Sequence, residues 1–181
     1  MRHVAGQIHP KLEQKFPGKV QRAELERLDP FLVVEPAAMG EIGAWLRDDP
    51  ENAFDVLHCL SAVDYPKENK LEVVYHLFSM KHRHWLVLKV ELPREGPRVP
   101  SVERIWPTAN WHERETYDLF GVTFEGHSDP RRIFLPEDWE GHPLRKDWEW
   151  PEDWHGIAVR PGKQMSQRAA EGEDIGVGPF D

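Results

Sequence analysis

The sequence predicts an α+β fold: a mixed or antiparallel sheet of about four strands with packed helices, followed by a long extended C-terminal arm. Residues 71–78 and 85–92 have the clearest strand patterns, and the connection 79–84 is short enough for a hairpin. Residues 111–120 follow a helical pattern. Beyond residue 124 glycine and proline recur, so we expect no regular element of any length there.

The composition is that of one acidic folded domain. With 181 residues, of which 39% are hydrophobic, the chain is long enough to bury one core. Its 23 Lys and Arg residues against 32 Asp and Glu residues give a formal net charge of -9. Because this charge repels a phosphate backbone and no basic stripe offsets it, we expect no nucleic-acid binding.

The apolar runs and the cysteine content exclude further classes. Runs such as 85–88 are far shorter than the ~20 residues that span a bilayer, so we expect no membrane span. Cys59 is alone, which excludes a disulfide, a cysteine-bound Fe–S cluster and a Cys₄ zinc site within the chain. Residues 1–20 have neither the apolar core of a secretory signal nor the pattern of a transit peptide. We therefore expect a cytosolic, reducing environment.

The N-terminal segment, residues 1–30, is polar and carries little pattern. Its only predicted element is a helical turn at 24–28, before Asp29-Pro30. Phe31-Leu32-Val33-Val34 then predicts a short buried strand, which opens the α+β domain.

The domain continues with a helix and further strands. After Pro36, apolar residues at 39, 42, 45 and 46 follow the spacing of one helix face. Residues 54–63 fit either a strand or a helix, and 63–66 predicts a turn. The two clear strands follow.

Three prolines between residues 93 and 100 predict that the sheet ends there. Ser101 can begin a short turn that runs to Trp106. Residues 122–124 can add a last strand.

The helix at 111–120 has sequence signals at both ends. Asn110 is a good N-cap, and Glu113 occupies the position that reaches back to it in a capping box. Gly121 is a natural helix stop.

The chain is therefore divided into an N-terminal segment (1–30), an α+β domain (31–124) and an extended arm (125–181). Six of the eight tryptophans lie between Trp106 and Trp154. So much indole in a segment without regular structure must lie against its own domain or a partner. We favour a partner, because 57 residues are too many for an ordinary loop.

The predicted helix carries a carboxylate among apolar residues. Successive residues turn by ~100°, which places Trp111, Glu115 and Leu119 on one face of a helix that is apolar nearly all round. A carboxylate buried there must be paired or have a raised pKa. We favour a structural ion network over a catalytic carboxylate. The available cations are Arg114, Arg131, Arg132, Arg145 and Lys146.

A metal site is the alternative chemistry in this region. The candidate ligands are His112, Glu115, His127 and His142. A di-iron bundle needs two Glu-x-x-His copies and a zincin needs His-Glu-x-x-His, and the chain has neither. Both Gly-His pairs lie in turn-like contexts, where histidine more often caps backbone groups.

The chain also lacks a complete nucleotide-binding motif and a recognisable catalytic nucleophile. Residues 156–163 resemble a phosphate loop but have five residues between the glycines where four are needed. No Ser or Cys has the context of an activated nucleophile. We therefore expect no catalytic, cofactor-binding or metal-binding residue and no independent active site in this chain.

The same segment resembles a known family. The motifs are Glu113-Arg114-Glu115, Tyr117-Asp118-Leu119-Phe120-Gly121, Phe124-x-Gly126-His127, Arg131-Arg132-Ile133 and Gly141-His142-Pro143-Leu144-Arg145-Lys146-Asp147. Together they are similar to the signature of the NuoC-type subunit of proton-pumping NADH:quinone oxidoreductase, respiratory complex I. Val63-Asp64-Tyr65-Pro66 and Trp106-x-x-Ala109-Asn110-Trp111 also fit, so the resemblance covers roughly residues 30–148. The family tends to have His-Pro-Asp-Leu where this chain has His127-Ser128-Asp129-Pro130, which changes the turn there.

The resemblance implies a scaffold subunit of the hydrophilic arm, peripheral on the cytoplasmic side of the inner membrane, that itself holds no cofactor. FMN and Fe–S clusters are expected in partner subunits, and the main partners are the quinone-cavity subunit and neighbouring Fe–S subunits. Related complexes that use ferredoxin or F420 as electron donor contain a similar subunit, so the donor stays open. The residues expected in internal ion pairs, caps or interfaces are Glu113, Arg114, Glu115, Asp118, His127, Arg131, Arg132, His142, Arg145, Lys146 and Asp147.

Overall fold

The computed structural model describes residues 2–158. The helices are α1 (Ala5–Lys15), α2 (Met39–Asp48) and α3 (Ala109–Phe120). The longer strands are β2 (Val20–Glu24), β3 (Phe31–Val34), β4 (Val56–Tyr65), β5 (Lys70–Ser79) and β6 (His84–Pro93). The short strands are β1 (Arg2–His3), β7 (Arg98–Pro100), β8 (Thr123–Glu125), β9 (Asp153–Trp154) and β10 (Ile157–Ala158), and single 3₁₀ turns occupy Pro36–Ala38 and Pro66–Glu68.

Five strands form one mixed sheet in the order β2-β3-β6-β5-β4, and β1 pairs with β6. β3 and β6 run parallel, whereas β5 pairs antiparallel with both of its neighbours. The predicted α+β class with a mixed sheet is confirmed, as is the hairpin that joins β5 to β6.

The main core lies on one face of this sheet. Alternating residues of β5, such as Leu71, Val73 and Leu77, are fully buried on that face, since successive strand residues point to opposite sides. Helices α1 and α2 add their own apolar residues to the same core, including Leu12 and Ile42.

The N-terminal segment is more ordered than predicted. Residues 5–15 form α1, which buries Ala5, Ile8 and Leu12, and residues 20–24 form β2. The expectation of little pattern is wrong: Ala5, Ile8 and Leu12 have the spacing of one helix face, and Pro10 inside the helix obscures this pattern. No helical turn forms at 24–28, where β2 ends and bends follow.

Three further boundaries differ from the prediction. The ambiguous stretch 54–63 is strand β4, which continues to Tyr65, so the expected turn begins only after that residue.

β7 lies in the proline-rich stretch where we expected no sheet. It pairs parallel with β8, so the predicted last strand exists but belongs to a separate two-stranded sheet.

The chain divides into two compact units, Met1–Asp147 and Trp148–Asp181. The first starts before and ends after the predicted domain of residues 31–124. In the described part of the second, β9 and β10 pair antiparallel, and the rings of Trp148 and Trp150 meet edge to face. Within residues 2–158 no helix combines the length and the apolarity that a bilayer crossing requires.

Candidate functional site

Helix α3 and the segments bound to it contain the residues that the sequence singled out. The helix begins at Ala109, and its N-cap residue, Thr108, makes no side-chain capping bond. The predicted capping box is therefore wrong. The Asn110 amide instead donates to Glu103 Oε2 (2.8 Å).

Glu113 ties the preceding turn to the helix. Its carboxylate accepts hydrogen bonds from Ser101 Oγ (2.6 Å) and from the Val102 backbone N–H (2.7 Å). The side chain is fully buried, and burial raises the pKa of Glu113 to about 7, although these two hydrogen bonds act to lower it. Near neutral pH this carboxyl is therefore divided between its protonated and ionised forms.

His127 joins both sides of this arrangement through backbone groups. Its Nδ1 accepts a hydrogen bond from the Asp129 N–H (2.9 Å), and its Nε2 lies 3.1 Å from the Asn110 carbonyl oxygen. Since Nδ1 is an acceptor, the ring proton is on Nε2, which donates to Asn110. His127 thus joins the backbone of α3 to the backbone of the turn that follows β8.

A cavity of about 250 Å³ opens beside these residues. It is lined by Glu113, Arg114, Tyr117, Thr123, Phe124, His127 and Pro130. The Arg114 guanidinium on its wall donates to the Arg131 carbonyl oxygen (3.2 Å) and lies 3.7 Å from Asp129 Oδ2. The charged groups on the cavity wall thus have partners within the chain.

Asp118 holds the backbone that follows α3. One carboxylate oxygen, Oδ1, accepts from Arg132 Nη1 (2.8 Å). The other accepts from three consecutive backbone N–H groups, at residues 133 (3.0 Å), 134 (2.8 Å) and 135 (3.0 Å). Burial alone would raise the pKa of Asp118, but these hydrogen bonds outweigh it and the pKa lies below its ordinary value.

Residues 131–147, which we name the strap, also cap the C-terminal end of α3. Gly121 ends the helix in the left-handed conformation (φ +76°), as predicted. The carbonyls of the last three helix residues accept hydrogen bonds from the strap. His142 Nδ1 binds Asp118 O (3.0 Å), the Leu144 N–H binds Leu119 O (3.1 Å) and Arg145 Nε binds Phe120 O (2.8 Å). These bonds satisfy carbonyls that a helix end leaves without partners.

The end of the strap is fixed by a residue that the sequence did not reveal. Arg94, at the loop after β6, donates from Nε to Asp64 Oδ1 (2.8 Å) and from Nη1 to Asp147 Oδ2 (3.0 Å). The Lys146 N–H donates to the other oxygen of Asp64 (2.9 Å). The one signal available was Asp64 itself, the only carboxylate in strand β4.

Most of the expected residues are therefore bonded within the first unit. Arg131 is exposed and pairs with Asp129 (2.9 Å). The strap is hydrogen-bonded to its own domain, at Asp118 and at the carbonyls that end α3. The remainder of the arm beyond residue 158 lies outside the described residues.

Glu115 is the exception. It is exposed, as is Trp111 at 63%, whereas the buried positions of α3 include Glu113, Arg114 and Asp118. The predicted burial of an apolar stripe is wrong, because the turn at 101–102 and the strap supply hydrogen bonds that allow the polar face to lie inside.

The alternative metal site has no support in the geometry. Across residues 2–158 no group of three or more His, Cys, Asp and Glu side chains is arranged to hold a metal ion. His112, Glu115, His127 and His142 are therefore not brought together as a ligand set.

Comparison with known proteins identifies the family. Residues 32–154 match the family described as "Respiratory-chain NADH dehydrogenase, 30 Kd subunit". Two similar relatives, both named as the C-type subunit of NADH-quinone oxidoreductase, are 46% identical to this chain: that of Chloroherpeton thalassium over 140 residues and that of Roseiflexus castenholzii over 138 residues. Each alignment covers 76% of this chain. The chain spans 58% of the length of the first relative and 79% of the second.

Two solved structures have the same fold. One is titled "Nqo5 of the trypsin-resistant fragment (1-134)" and has a TM-score of 0.57 at 28% identity, over 68% of this chain and 98% of that one. The other, from the membrane-bound sulfane sulfur reductase, an archaeal respiratory membrane complex, has a TM-score of 0.66 at 26% identity, over 97% and 95% of the two chains. The chain thus belongs to the family of the 30 Kd subunit of respiratory-chain NADH dehydrogenase, as the motifs of α3 and the strap indicated.

Proposed function

We propose that the chain is a scaffold subunit of the hydrophilic arm of a proton-translocating NADH:quinone oxidoreductase. In this role it packs against the subunit that forms the quinone cavity and against neighbouring Fe–S subunits. FMN and Fe–S clusters belong to those partners, and this chain holds no cofactor. The complex transfers electrons from NADH to quinone and couples this to proton translocation, with the chain peripheral on the cytoplasmic side of the inner membrane.

The observation that carries this proposal is the use of the signature side chains in internal bonds. Asp118 accepts from four donors, and His142 and Arg145 bind carbonyls at the end of α3. Groups held in this way fix the position of the strap and have few bonds left to offer a substrate. The signature therefore supports a structural role.

The proposed binding role of the arm now concerns residues 148–181, after the strap. Unit one ends at Asp147, where Arg94 holds the chain to the sheet. The related Nqo5 structure is that of a trypsin-resistant fragment, which supports a protease-resistant domain in this family. We expect trypsin to cut the free chain after Lys163 and Arg168, the basic residues beyond Asp147 that no proline follows, and to leave these sites intact in the complex. Equal cleavage in both states would refute the binding role of the arm.

The same scaffold role in a related complex with another electron donor, such as ferredoxin or F420, is the second candidate. The fold shared with a chain of the sulfane sulfur reductase favours it, because that complex is named for a different reaction. The 46% identity to two NADH-quinone oxidoreductase subunits favours the first candidate.

Isolation of the chain under native conditions from its own membranes tests the proposal. We expect the quinone-cavity and Fe–S subunits to co-purify, together with NADH:quinone reductase activity. Isolation of the chain without any of these subunits would refute the scaffold role, and a complex that lacks an NADH-oxidising subunit would favour the second candidate. The variant Asp118→Asn should lower the amount of assembled complex, while the turnover of each assembled complex stays unchanged.

A further inference from the structure

The side of α3 that carries the exposed Trp111 also carries Glu115 and Leu119. Trp111, Glu115 and Leu119 follow one another at four-residue intervals, so they lie along one side of the helix at steps of ~6 Å. Two strap residues are attached to the C-terminal half of this helix through their backbone N–H groups: Phe134 at Asp118 and Leu144 at Leu119. We name these five residues, Trp111, Glu115, Leu119, Phe134 and Leu144, the α3 surface.

Three of the four apolar members of the α3 surface are strongly exposed, and Leu119 is half-buried. Trp111 and Phe134 are each 63% exposed and Leu144 is 50% exposed. Large apolar side chains grouped in this way on a folded unit mark an interaction site more often than scattered ones do. Their backbone attachments are rigid, because Phe134 and Leu144 are held by the hydrogen bonds that fix the strap.

Trp111 is already oriented for binding. The Arg114 guanidinium lies 4.9 Å from the centre of its ring, and Arg114 is itself buried and bonded to the strap. One face of the indole therefore rests on a fixed cation while most of the side chain stays exposed. An aromatic side chain held in this way loses little freedom on binding, which favours a role as an anchor.

Glu115 places a negative charge within the α3 surface. It is exposed and, among residues 2–158, forms no ion pair. Its charge also acts on Cys59: burial first, and then the nearby Glu115 carboxylate, raise the pKa of that thiol. A carboxylate that forms no ion pair within residues 2–158 and lies between apolar groups is complementary to one basic side chain flanked by apolar ones.

We propose that the α3 surface is a docking site for a partner subunit of the same complex, through a segment that places a lysine or arginine between apolar side chains. The cation binds Glu115, and the apolar groups cover Trp111, Phe134 and Leu144. This inference rests on the proposed function, because it requires that the chain is a subunit. It assigns to Glu115 a bond across the interface, in contrast to the internal bonds of Glu113 and Asp118.

Carboxyl labelling of the intact complex tests the occupancy of the surface. The free chain and the native complex are treated with a carbodiimide and glycine ethyl ester, and the label on each carboxylate is measured by mass spectrometry. In the free chain Glu115 should be labelled as readily as Glu41, an exposed glutamate on α2. In the complex the labelling of Glu115 should fall at least about fivefold. Labelling of Glu115 within about twofold of the free chain would overturn the inference.

Charge reversal tests the chemistry of the partner. Glu115→Lys should lower incorporation into the complex at least about tenfold, since it places a cation against a cation, and Glu115→Gln should have a smaller effect. Glu41→Lys is the matched control and should incorporate normally. Because Glu115 is exposed, the free Glu115→Lys chain should melt as the unmodified chain does. Normal incorporation of Glu115→Lys would refute the charge pairing.

The apolar part of the surface is tested by Trp111→Ala. Loss of an aromatic anchor should lower incorporation about tenfold or more, whereas Met80→Ala, which shortens an exposed apolar side chain on the β5–β6 hairpin, should have no such effect. If the chain co-purifies with the complex while Glu115 stays fully labelled, this inference fails and the scaffold role stands. If the chain does not co-purify with such a complex, both fail.

Discussion

Replacing Asp118 with asparagine removes the charge that holds the strap while it preserves the size of the side chain. The carboxylate accepts four hydrogen bonds, from Arg132 and from the backbone of residues 133–135, and it is fully buried. An amide offers one oxygen and turns an N–H₂ group toward the other donors. In either orientation of the amide, the buried donors on one side lose their acceptor.

The size of the effect follows from these bonds. Removal of one member of a buried ion pair leaves Arg132 without its countercharge, which costs about 3–5 kcal/mol, and each hydrogen bond to a charged group contributes about 1.5–3 kcal/mol. Because these contributions overlap, we expect a loss of about 4 kcal/mol in the free energy of unfolding. For a unit of this size, that corresponds to a decrease in Tm of about 8–16 °C.

Urea unfolding of the free chain at neutral pH measures this loss. Hydrogen exchange should also show that the amides of residues 133–135 become less protected, because their acceptor is gone. Asp48→Asn is the control: it removes an exposed carboxylate that pairs with Arg47, and it should leave the unfolding midpoint unchanged. A loss below about 1 kcal/mol for Asp118→Asn would refute the assignment of Asp118 as the anchor of the strap.

Three further predictions address other parts of this region. The pKa of Glu113 is raised in the folded state, so its contribution to stability is complete below its ordinary pKa of 4.5 and is lost as the pH rises through about 7. Glu113→Gln should remove this dependence, which amounts to about 2.5 kcal/mol between about pH 5 and pH 8 and is measured as the difference from the unmodified chain in urea unfolding at these two pH values. Gly121→Ala should destabilise the chain by at least about 1 kcal/mol more than Gly126→Ala. Both residues have positive φ, but only at Gly121 would the new Cβ overlap the His142 ring, so an equal loss in urea unfolding would contradict this steric explanation. Arg94→Met should speed trypsin cleavage within the strap at least about tenfold, as measured by gel densitometry, and an unchanged rate would show that the strap does not need Arg94.

The sequence was sufficient to predict elements with strong local signals. The β5–β6 hairpin follows from its apolar runs and its short connection, and Gly121 marks the end of α3. Helix α1 was missed because Pro10 interrupts its pattern. Sequence patterns describe one segment at a time, whereas α1 is stabilised by packing against a sheet formed mainly from later residues.

The orientation of α3 was the larger error. An apolar stripe at Trp111 and Glu115 predicted that this side is buried, whereas the buried side carries Glu113 and Asp118. The polar side lies inside because distant backbone groups donate to it: the N–H of Val102 and those of residues 133–135. Such bonds depend on loop geometry, which periodicity does not encode.

The attachment of the strap has a consequence for how the chain is made. The carbonyls at the end of α3 and the carboxylate of Asp118 stay without their partners until residues 132–145 have been synthesised. Asp64 pairs earlier with Arg94, but it gains its backbone donor only with Lys146, 82 positions later. The first unit can therefore complete its fold only when residue 147 has been synthesised, directly before residues 148–181. A chain interrupted within the strap would leave the buried Asp118 carboxylate and the carbonyls at the end of α3 without these partners, so the first unit is complete only once the strap has been synthesised.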